Sequence, residues 1–113
     1  AHGLALDGVS PEKQAAAWEF ETSAEFTAAE RAALRVARGG GQVPNGVSDS
    51  ELRDLLAHYS PRQVAEIVAV IGLFGFLNRW NATLRVPLEA EPRALAERDI
   101  ARHGWHPGRH AAE

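Results

Sequence analysis

The chain has 113 residues, of which 45% are hydrophobic and 24% charged, a composition that suits one domain with a modest core. Its net charge of −3 argues against a nucleic-acid partner held by a basic face. It contains no cysteine, which excludes a disulfide, a thiolate nucleophile and a cysteine-ligated metal within the chain. We therefore expect a single domain over residues 1–113.

The first half of the chain carries three helix starts. Each start has a capping residue, followed at once by proline or three positions later by glutamate. They are Ser10 with Pro11, Thr27 with Glu30, and Ser48 with Glu51. The first helix is expected to run toward Phe20, and the second to stop at the glycines 39–41. The third is expected to be short, with Leu52, Leu55 and Leu56 on one face.

The most informative stretch is SPRQVAEIVAVIGLFGFLNRWN, residues 60–81. Ser60 and Gln63 form a capping box around Pro61, and the apolar run that follows is about twice the usual maximum length of a strand. The run is therefore predicted to be a helix, with two apolar stripes at helical spacing. One stripe is Val64, Ile67, Val68, Ile71, Phe74 and Gly75, and the other is Glu66, Val70, Leu73, Leu77 and Trp80. Because both stripes are apolar, we expect this helix to be central.

This helix is short for a membrane span. Its uncharged part, residues 67–78, falls well below the roughly 20 apolar residues that cross a bilayer, and Glu66 and Arg79 bracket it. The chain does not open with a basic region followed by an apolar one and a cleavage site, so no secretory signal is visible. We expect a soluble core helix, no membrane partner and a cytoplasmic location. Gly72 and Gly75 predict a tight helix crossing or a subunit contact.

The last part of the chain is predicted to contain a break, a helix and a tail. Val86 and Pro87 end the long helical pattern, and Pro92 starts a helix that is expected to end at Gly104. No strand is predicted, so the fold class is all-α: a compact bundle of about five helices with one long central helix. Three histidines raise a metal hypothesis, but glycine and proline among them break the regular element that a ligand set needs. They are His103, His106 and His110. A solvated or docked tail is favoured, and no metal site is predicted.

Four sequence blocks follow one another along the chain. They are FTAAERAALRVAR, QVPNGVSDSELRDLLAHYSPRQVAEIVAVIGLFGFLNRWN, VPLE and HGWHPGRH. Together they resemble the carboxymuconolactone decarboxylase and alkylhydroperoxidase D-like superfamily, and more narrowly its peroxidase-related branch. The resemblance runs from about Gly8 to His110 and implies a helical bundle of the alkylhydroperoxidase D type.

The chain departs from that family in one respect that matters for activity. Members with peroxidase activity carry a Cys-x-x-Cys pair followed shortly by a histidine, together with an upstream glutamate, and none of those cysteines is present. The resemblance therefore implies the C-terminal portion of a longer member, either as a trimmed chain or as a naturally short protein that has lost its initiator methionine. Peroxidase activity by the chain alone is predicted to be absent, and no cofactor is predicted.

Two residues are weak catalytic candidates. His2 is near the place of the family's motif histidine, where an imidazole relays protons to a thiol, although it fits better as a second histidine beyond the motif. Glu66, on an apolar face, is a conceivable general base, but Arg62 one turn earlier is an available ion-pair partner. We favour the ion pair.

A polar cluster at the end of the long helix is the candidate substrate pocket. Amides and a guanidinium there would hold a carboxylate or a peroxide between apolar walls. The residues are Phe74, Asn78, Arg79, Trp80 and Asn81. In the alternative interpretation, which we favour, the arginine pairs with a carboxylate and the asparagines satisfy neighbouring backbone groups.

Three functions stay open at this stage. The first is part of an alkylhydroperoxidase-like antioxidant enzyme whose cysteines lie on an upstream segment or a companion chain. The second is a cofactor-free decarboxylase or lyase that uses a histidine or glutamate as base. The third is a noncatalytic helical oligomerisation module. A homo-oligomer is expected, with a small peroxide or carboxylate substrate if the protein is active.

Overall fold

The computed structural model describes residues 8–111, and these residues contain helices and no strand. Five are α-helices: α1 Pro11–Ala15, α2 Ala28–Gly40, α3 Asp49–His58, α4 Pro61–Leu84 and α5 Ala90–Asp99. Three single 3₁₀ turns follow α1 and α5: Ala17–Glu19, Ala101–His103 and Gly108–His110. The predicted all-α class, with five helices and one long helix, is confirmed.

The chain divides into two compact units. One unit is Phe26–Trp80 and holds α2, α3 and most of α4. The other combines the residues up to Glu25 with those from Asn81 onward, and holds α1 and α5. The candidate residues of the long helix up to Trp80 therefore belong to the first unit.

Three capping boxes start α2, α3 and α4, as predicted. In each box the hydroxyl oxygen accepts from the backbone N–H three residues later, and the side chain at that later position accepts from the backbone N–H of the cap. The pairs are Thr27 with Glu30, at 3.1 and 3.0 Å, Ser48 with Glu51, at 3.1 and 3.0 Å, and Ser60 with Gln63, at 3.2 and 2.9 Å. These bonds satisfy N–H groups that would otherwise lack a partner at the helix starts.

Two predicted helix boundaries are wrong. The first helix ends at Ala15 rather than near Phe20, because the Glu19 N–H bonds to the Ala16 carbonyl and tightens the chain into a 3₁₀ turn. The last helix ends at Asp99, and Gly104, at φ +93°, ends the 3₁₀ turn that follows it.

The core of the Phe26–Trp80 unit lies where α2, α3 and the first turns of α4 meet. Its buried residues are Ala32, Val36, Leu55 and Val64, and Ala33, Val47, Tyr59, Ile67 and Ile71 pack against them. Of the three leucines predicted to share a face of α3, Leu55 is fully buried, whereas Leu52 and Leu56 are exposed.

A close backbone approach holds the loop after α2 against that helix. The Gly46 N–H donates to the Gly39 carbonyl at 2.9 Å. A Cβ at Gly39 would lie 2.9 Å from both the Gly46 carbonyl carbon and the Val47 nitrogen, closer than real Cβ atoms come. Glycine is needed at this position because any side chain would push the two segments apart.

The prediction that α4 is a buried central helix is wrong for most of its length. Val64 is its one buried residue among those described, and the large apolar side chains from Val68 onward are exposed except for Ile71. The physical reason is that α2 and α3 cover the side of α4 that carries Val64, Ile67 and Ile71, while its other sides face solvent. By length and composition alone, α4 is the one described helix that could cross a membrane.

The glycines of α4 do not mark a helix crossing within the described chain. A Cβ at Gly72 would meet nothing within 4 Å, and one at Gly75 would meet the Arg79 guanidinium at 3.8 Å. Of the two meanings predicted for these glycines, the tight crossing is not found in the described residues, and the subunit contact stays a prediction.

Candidate ligand-binding groove

An apolar groove runs between α2 and α4 in the Phe26–Trp80 unit. Its first section, of about 450 Å³, is lined by Ala33, Leu34, Ala37, Tyr59, Gln63, Glu66, Ile67, Val70 and Ile71. Its second section, of about 500 Å³, is lined by Ala37, Gly41, Val43, Val70, Ile71, Phe74, Gly75, Asn78 and Arg79. The two sections share three residues, so they follow one another along α4. We call them together the α2–α4 groove.

Three of the five predicted pocket residues line this groove. Phe74, Asn78 and Arg79 line its second section. The last two come four and five residues after Phe74, so the helix places them on neighbouring sides, one turn apart. Phe74 supplies an apolar wall, and the amide and guanidinium supply polar groups at one end. This arrangement, mostly apolar with a few polar groups at one place, is typical of small-molecule sites.

The Arg79 guanidinium has no carboxylate partner within residues 8–111. It lies beside Gly75, whose missing side chain leaves room for it, 3.8 Å from where a Cβ would stand. The ion pair that the sequence favoured for this arginine is therefore not found among the described residues. Because Arg79 has no carboxylate partner in the described part of the chain and lies beside an apolar groove, its guanidinium is suited to bind the carboxylate of a ligand.

Neither asparagine of the predicted pocket uses its side chain to bond the described protein. The Asn78 and Asn81 amides make no hydrogen bond within the part of the chain that the structure describes, and both residues are exposed. The backbone carbonyl of Asn81 accepts from the Val86 N–H at 3.0 Å, which turns the chain after α4. Asn78 lies at the groove, whereas Asn81 does not line it.

Trp80 lies on a different side of α4 from the groove. Its ring centroid is 5.9 Å from that of Phe76, with an interplanar angle of 37°, and both residues are 55% exposed. One residue along a helix is about 100° of rotation, so Trp80 and Arg79 point to different sides although they are neighbours in sequence. Trp80 is not among the residues that line the groove.

Glu66 lines the first section of the α2–α4 groove and makes the ion pair with Arg62 that the sequence favoured. The distance from Arg62 Nε to Glu66 Oε1 is 3.5 Å, and both side chains are strongly exposed. An exposed pair of this spacing is weak and exchanges readily with water. The general-base role of Glu66 stays a prediction, and His2 lies outside the described residues.

A second polar cluster, in the other unit, was missed by sequence reasoning. Glu19 Oε1 accepts from Arg102 Nη2 at 3.1 Å and lies 3.2 Å from His103 Nε2. The Trp18 ring stacks on the imidazole of His103, with centroids 5.8 Å apart. The partners are more than 80 residues apart in sequence, so no local pattern could have revealed the contact.

The histidine tail is docked at His110, one of the two outcomes predicted for the tail, whereas His106 is exposed. The Leu88 N–H donates to the His110 carbonyl at 2.9 Å, and His110 Nδ1 lies 2.8 Å from the Val86 carbonyl oxygen. Within residues 8–111, no three metal-ligating side chains come together.

One carboxylate of this unit is held by a neighbouring guanidinium. Arg98 Nε and Nη2 donate to the two Asp99 carboxylate oxygens at 2.6 and 2.7 Å, and Asp99 is buried. The hydrogen bonds from Arg98 hold the pKa of Asp99 below its usual range. Neither residue of the pair lines the α2–α4 groove.

Comparison with known proteins gives one distant relative. The chain is 30% identical over 80 residues to the uncharacterized protein YnjA of Escherichia coli strain K12. The match covers 71% of this chain and 44% of YnjA, so the chain spans less than half of that relative's length. No family model matches the chain, and no solved structure matches it significantly.

Proposed function

We propose that this chain forms the substrate-binding wall of an alkylhydroperoxidase D-like protein of the carboxymuconolactone decarboxylase superfamily. The observation that carries the proposal is the α2–α4 groove, an apolar channel with the Asn78 amide and the Arg79 guanidinium at one end, the latter without an ion-pair partner among residues 8–111. The sequence blocks that resemble the superfamily supply its chemical context. The substrate class that fits is an amphiphilic molecule with an apolar body and a carboxylate or hydroperoxide head.

The redox step that the resemblance implies needs thiols that this chain does not contain. A thiolate attacks the terminal oxygen of the hydroperoxide, the O–O bond breaks, and the alkoxide leaves and takes a proton. The second thiol attacks the sulfenic sulfur, which releases water and forms a disulfide, and an external dithiol then reduces that disulfide. We propose that an upstream segment or a companion chain supplies both thiols. The chain alone is expected to consume no cumene hydroperoxide.

Binding to the groove can be tested without any redox activity. Dodecanoate, below its micelle concentration, is the probe for an amphiphilic carboxylate, and dodecanol is the matched ligand without the charge. Isothermal titration calorimetry is expected to detect dodecanoate binding that Arg79→Gln weakens about tenfold, because a charge-assisted hydrogen bond is lost. Dodecanol binding is expected to be unchanged by the same substitution.

Arg62→Gln is the control, because Arg62 is an exposed arginine of the same helix that does not line the groove. It is expected to leave dodecanoate binding unaltered. The proposal for the groove fails if dodecanoate does not bind, or if the two arginine substitutions weaken binding equally.

A cofactor-free lyase is the alternative that Glu66 supports, since its carboxylate lines the first section of the groove. In that case the cysteine-free chain would turn over a lactone or a β-keto acid, and Glu66→Gln would abolish the reaction. Product analysis by chromatography separates this outcome from simple binding.

A further inference from the structure

Four large apolar side chains of α4 form a line that solvent reaches. They are Val70, Leu73, Leu77 and Trp80, with exposed fractions of 53%, 55%, 37% and 55%. Their successive spacing of three, four and three residues places them on one face of the helix, in the pattern that pairs two helices in a coil. We call this line the α4 seam. Phe76 flanks it and packs against Trp80.

The seam is separate from the side of α4 that the core uses. Val64, Ile67 and Ile71 contact the buried residues of α2 and α3, and the seam lies about a third of a turn away around the helix. Val70 stands at the border between the seam and the α2–α4 groove. The core therefore leaves the seam accessible to a partner.

We propose that the α4 seam is the interface at which two copies of this chain pair, with their α4 helices antiparallel. In this register Trp80 of one copy faces Val70 of its partner, and Leu73 faces Leu77. Each large side chain thus meets a smaller one or an equal one, which fills the layer without a void or a clash.

The direction of pairing follows from charge and size. Glu66 is the next residue on the seam, one turn before Val70. Parallel helices would place the two Glu66 carboxylates face to face, where their like charges repel. They would also place Trp80 against Trp80, where the two indole rings are too bulky for one layer. Antiparallel helices separate the two carboxylates to opposite ends of the interface.

The exposed area of the seam fits a second copy. With about half of each side chain exposed, the seam and Phe76 present roughly 500 Å² of apolar surface per copy. Two copies would bury roughly 1,000 Å², the lower bound for a specific interface. A bilayer fits less well, because the uncharged residues 67–78 span only about 18 Å, against about 30 Å of hydrocarbon.

The first experiment measures the oligomeric state of the full chain by sedimentation equilibrium over a range of concentrations. The wild type is expected to be a dimer, and Leu77→Glu is expected to raise the dissociation constant by more than about tenfold. Val68→Glu is the matched control: Val68 is 48% exposed on the same helix but faces away from the seam. It is expected to leave the dimer intact.

The second experiment tests direction, using the absence of native cysteines. Ala69→Cys and Phe76→Cys each place one thiol on the same flank of the seam, seven residues apart. In the antiparallel register Phe76 lies at the two-fold axis and is expected to cross-link to itself with a short bis-maleimide. Two Ala69 positions would be about 18 Å apart along the axis and are expected not to cross-link.

Several results would overturn the proposal. These are a monomer at all concentrations, equal disruption by Leu77→Glu and Val68→Glu, equal cross-linking at the two cysteine positions, or co-flotation of the wild type with phosphatidylcholine vesicles. Dodecanoate binding is expected to survive Leu77→Glu, because Leu77 does not line the groove. Failure of the groove proposal and failure of this one are therefore distinguishable.

Discussion

The first half of α4, residues 61–71, and its second half up to Trp80, residues 72–80, have similar fractions of apolar residues but different surroundings. In the first half, Val64 is buried and Ile67 and Ile71 pack against the core that α2 and α3 provide. In the second half, four large apolar side chains are more than half exposed: Leu73, Phe74, Phe76 and Trp80. Hydrophobicity along the helix therefore does not determine burial by itself. What determines burial is whether another element of the chain reaches that turn.

This difference has a consequence for function. The packed half belongs to the part of the protein that the capping boxes and Leu55 stabilise, and it sets the position of the α2–α4 groove. The second half extends beyond that support, so its side chains are available for a ligand at the groove and for a second copy at the α4 seam. Substitutions in the packed region should change the free energy of unfolding, and substitutions in the exposed second half of α4 should change binding. Matched variants of the two regions test this difference.

The largest expected effect is that of Leu55→Ala in the packed region. Leu55 is fully buried, so truncation loses its transfer free energy and leaves a cavity, which costs about 2–5 kcal/mol of unfolding free energy. Leu73→Ala, in the exposed region, is the control and is expected to cost less than about 0.5 kcal/mol in dilute protein. Urea unfolding followed by circular dichroism measures both. Equal losses would contradict the comparison.

The second effect compares two helical glycines. Gly39→Ala would place a methyl group 2.9 Å from the backbone of the following loop and is expected to destabilise the protein by about 1–3 kcal/mol. Gly72→Ala would meet nothing within 4 Å and is expected to stabilise it by up to about 1 kcal/mol through helix propensity. Thermal unfolding of the two variants should shift in opposite directions. If Gly72→Ala also lowered the unfolding temperature, the helix around Gly72 would have to be packed against another surface in solution.

Much of the helical framework could be predicted from the sequence because its signals are local. The boxes at Thr27, Ser48 and Ser60 depend on bonds between residues three apart, and all three form as predicted. The burial of α4 could not be predicted in the same way. Its two apolar stripes show that the helix has two apolar faces, but they do not show which face packs against other helices of this chain. Only the tertiary arrangement of α2 and α3 decides that.

The candidate site was predictable in part for the same reason. Phe74, Asn78 and Arg79 meet at the groove because helical spacing brings them to adjoining faces, whereas Trp80, next to Arg79 in sequence, points to the seam. The contact of Glu19 with Arg102 depends on chain folding over a long sequence separation, and no motif announces it. Local geometry was readable from the residues, and long-range contacts were not.

The smallest expected effect concerns pH and the start of α3 in the packed region. The backbone N–H of Ser48 donates to the Glu51 carboxylate at 3.0 Å, and this bond holds the pKa of Glu51 below its ordinary value of 4.5. Because the folded pKa is lower than the unfolded one, the stabilisation is present above the unfolded value and is lost as pH falls through the folded value. Glutamine at this position keeps an acceptor for the capping box but does not titrate.

Glu51→Gln is therefore expected to make the decline of unfolding free energy with falling pH shallower, in a window that starts near 4.5 and extends downward. Urea titrations at several acidic pH values measure this slope. Glu66→Gln removes a carboxylate of α4 that lies 3.5 Å from the exposed Arg62 side chain, and it is the matched control for the loss of one negative charge. A steep acid limb that survives Glu51→Gln would mean that the capping box does not couple folding of the packed region to protonation.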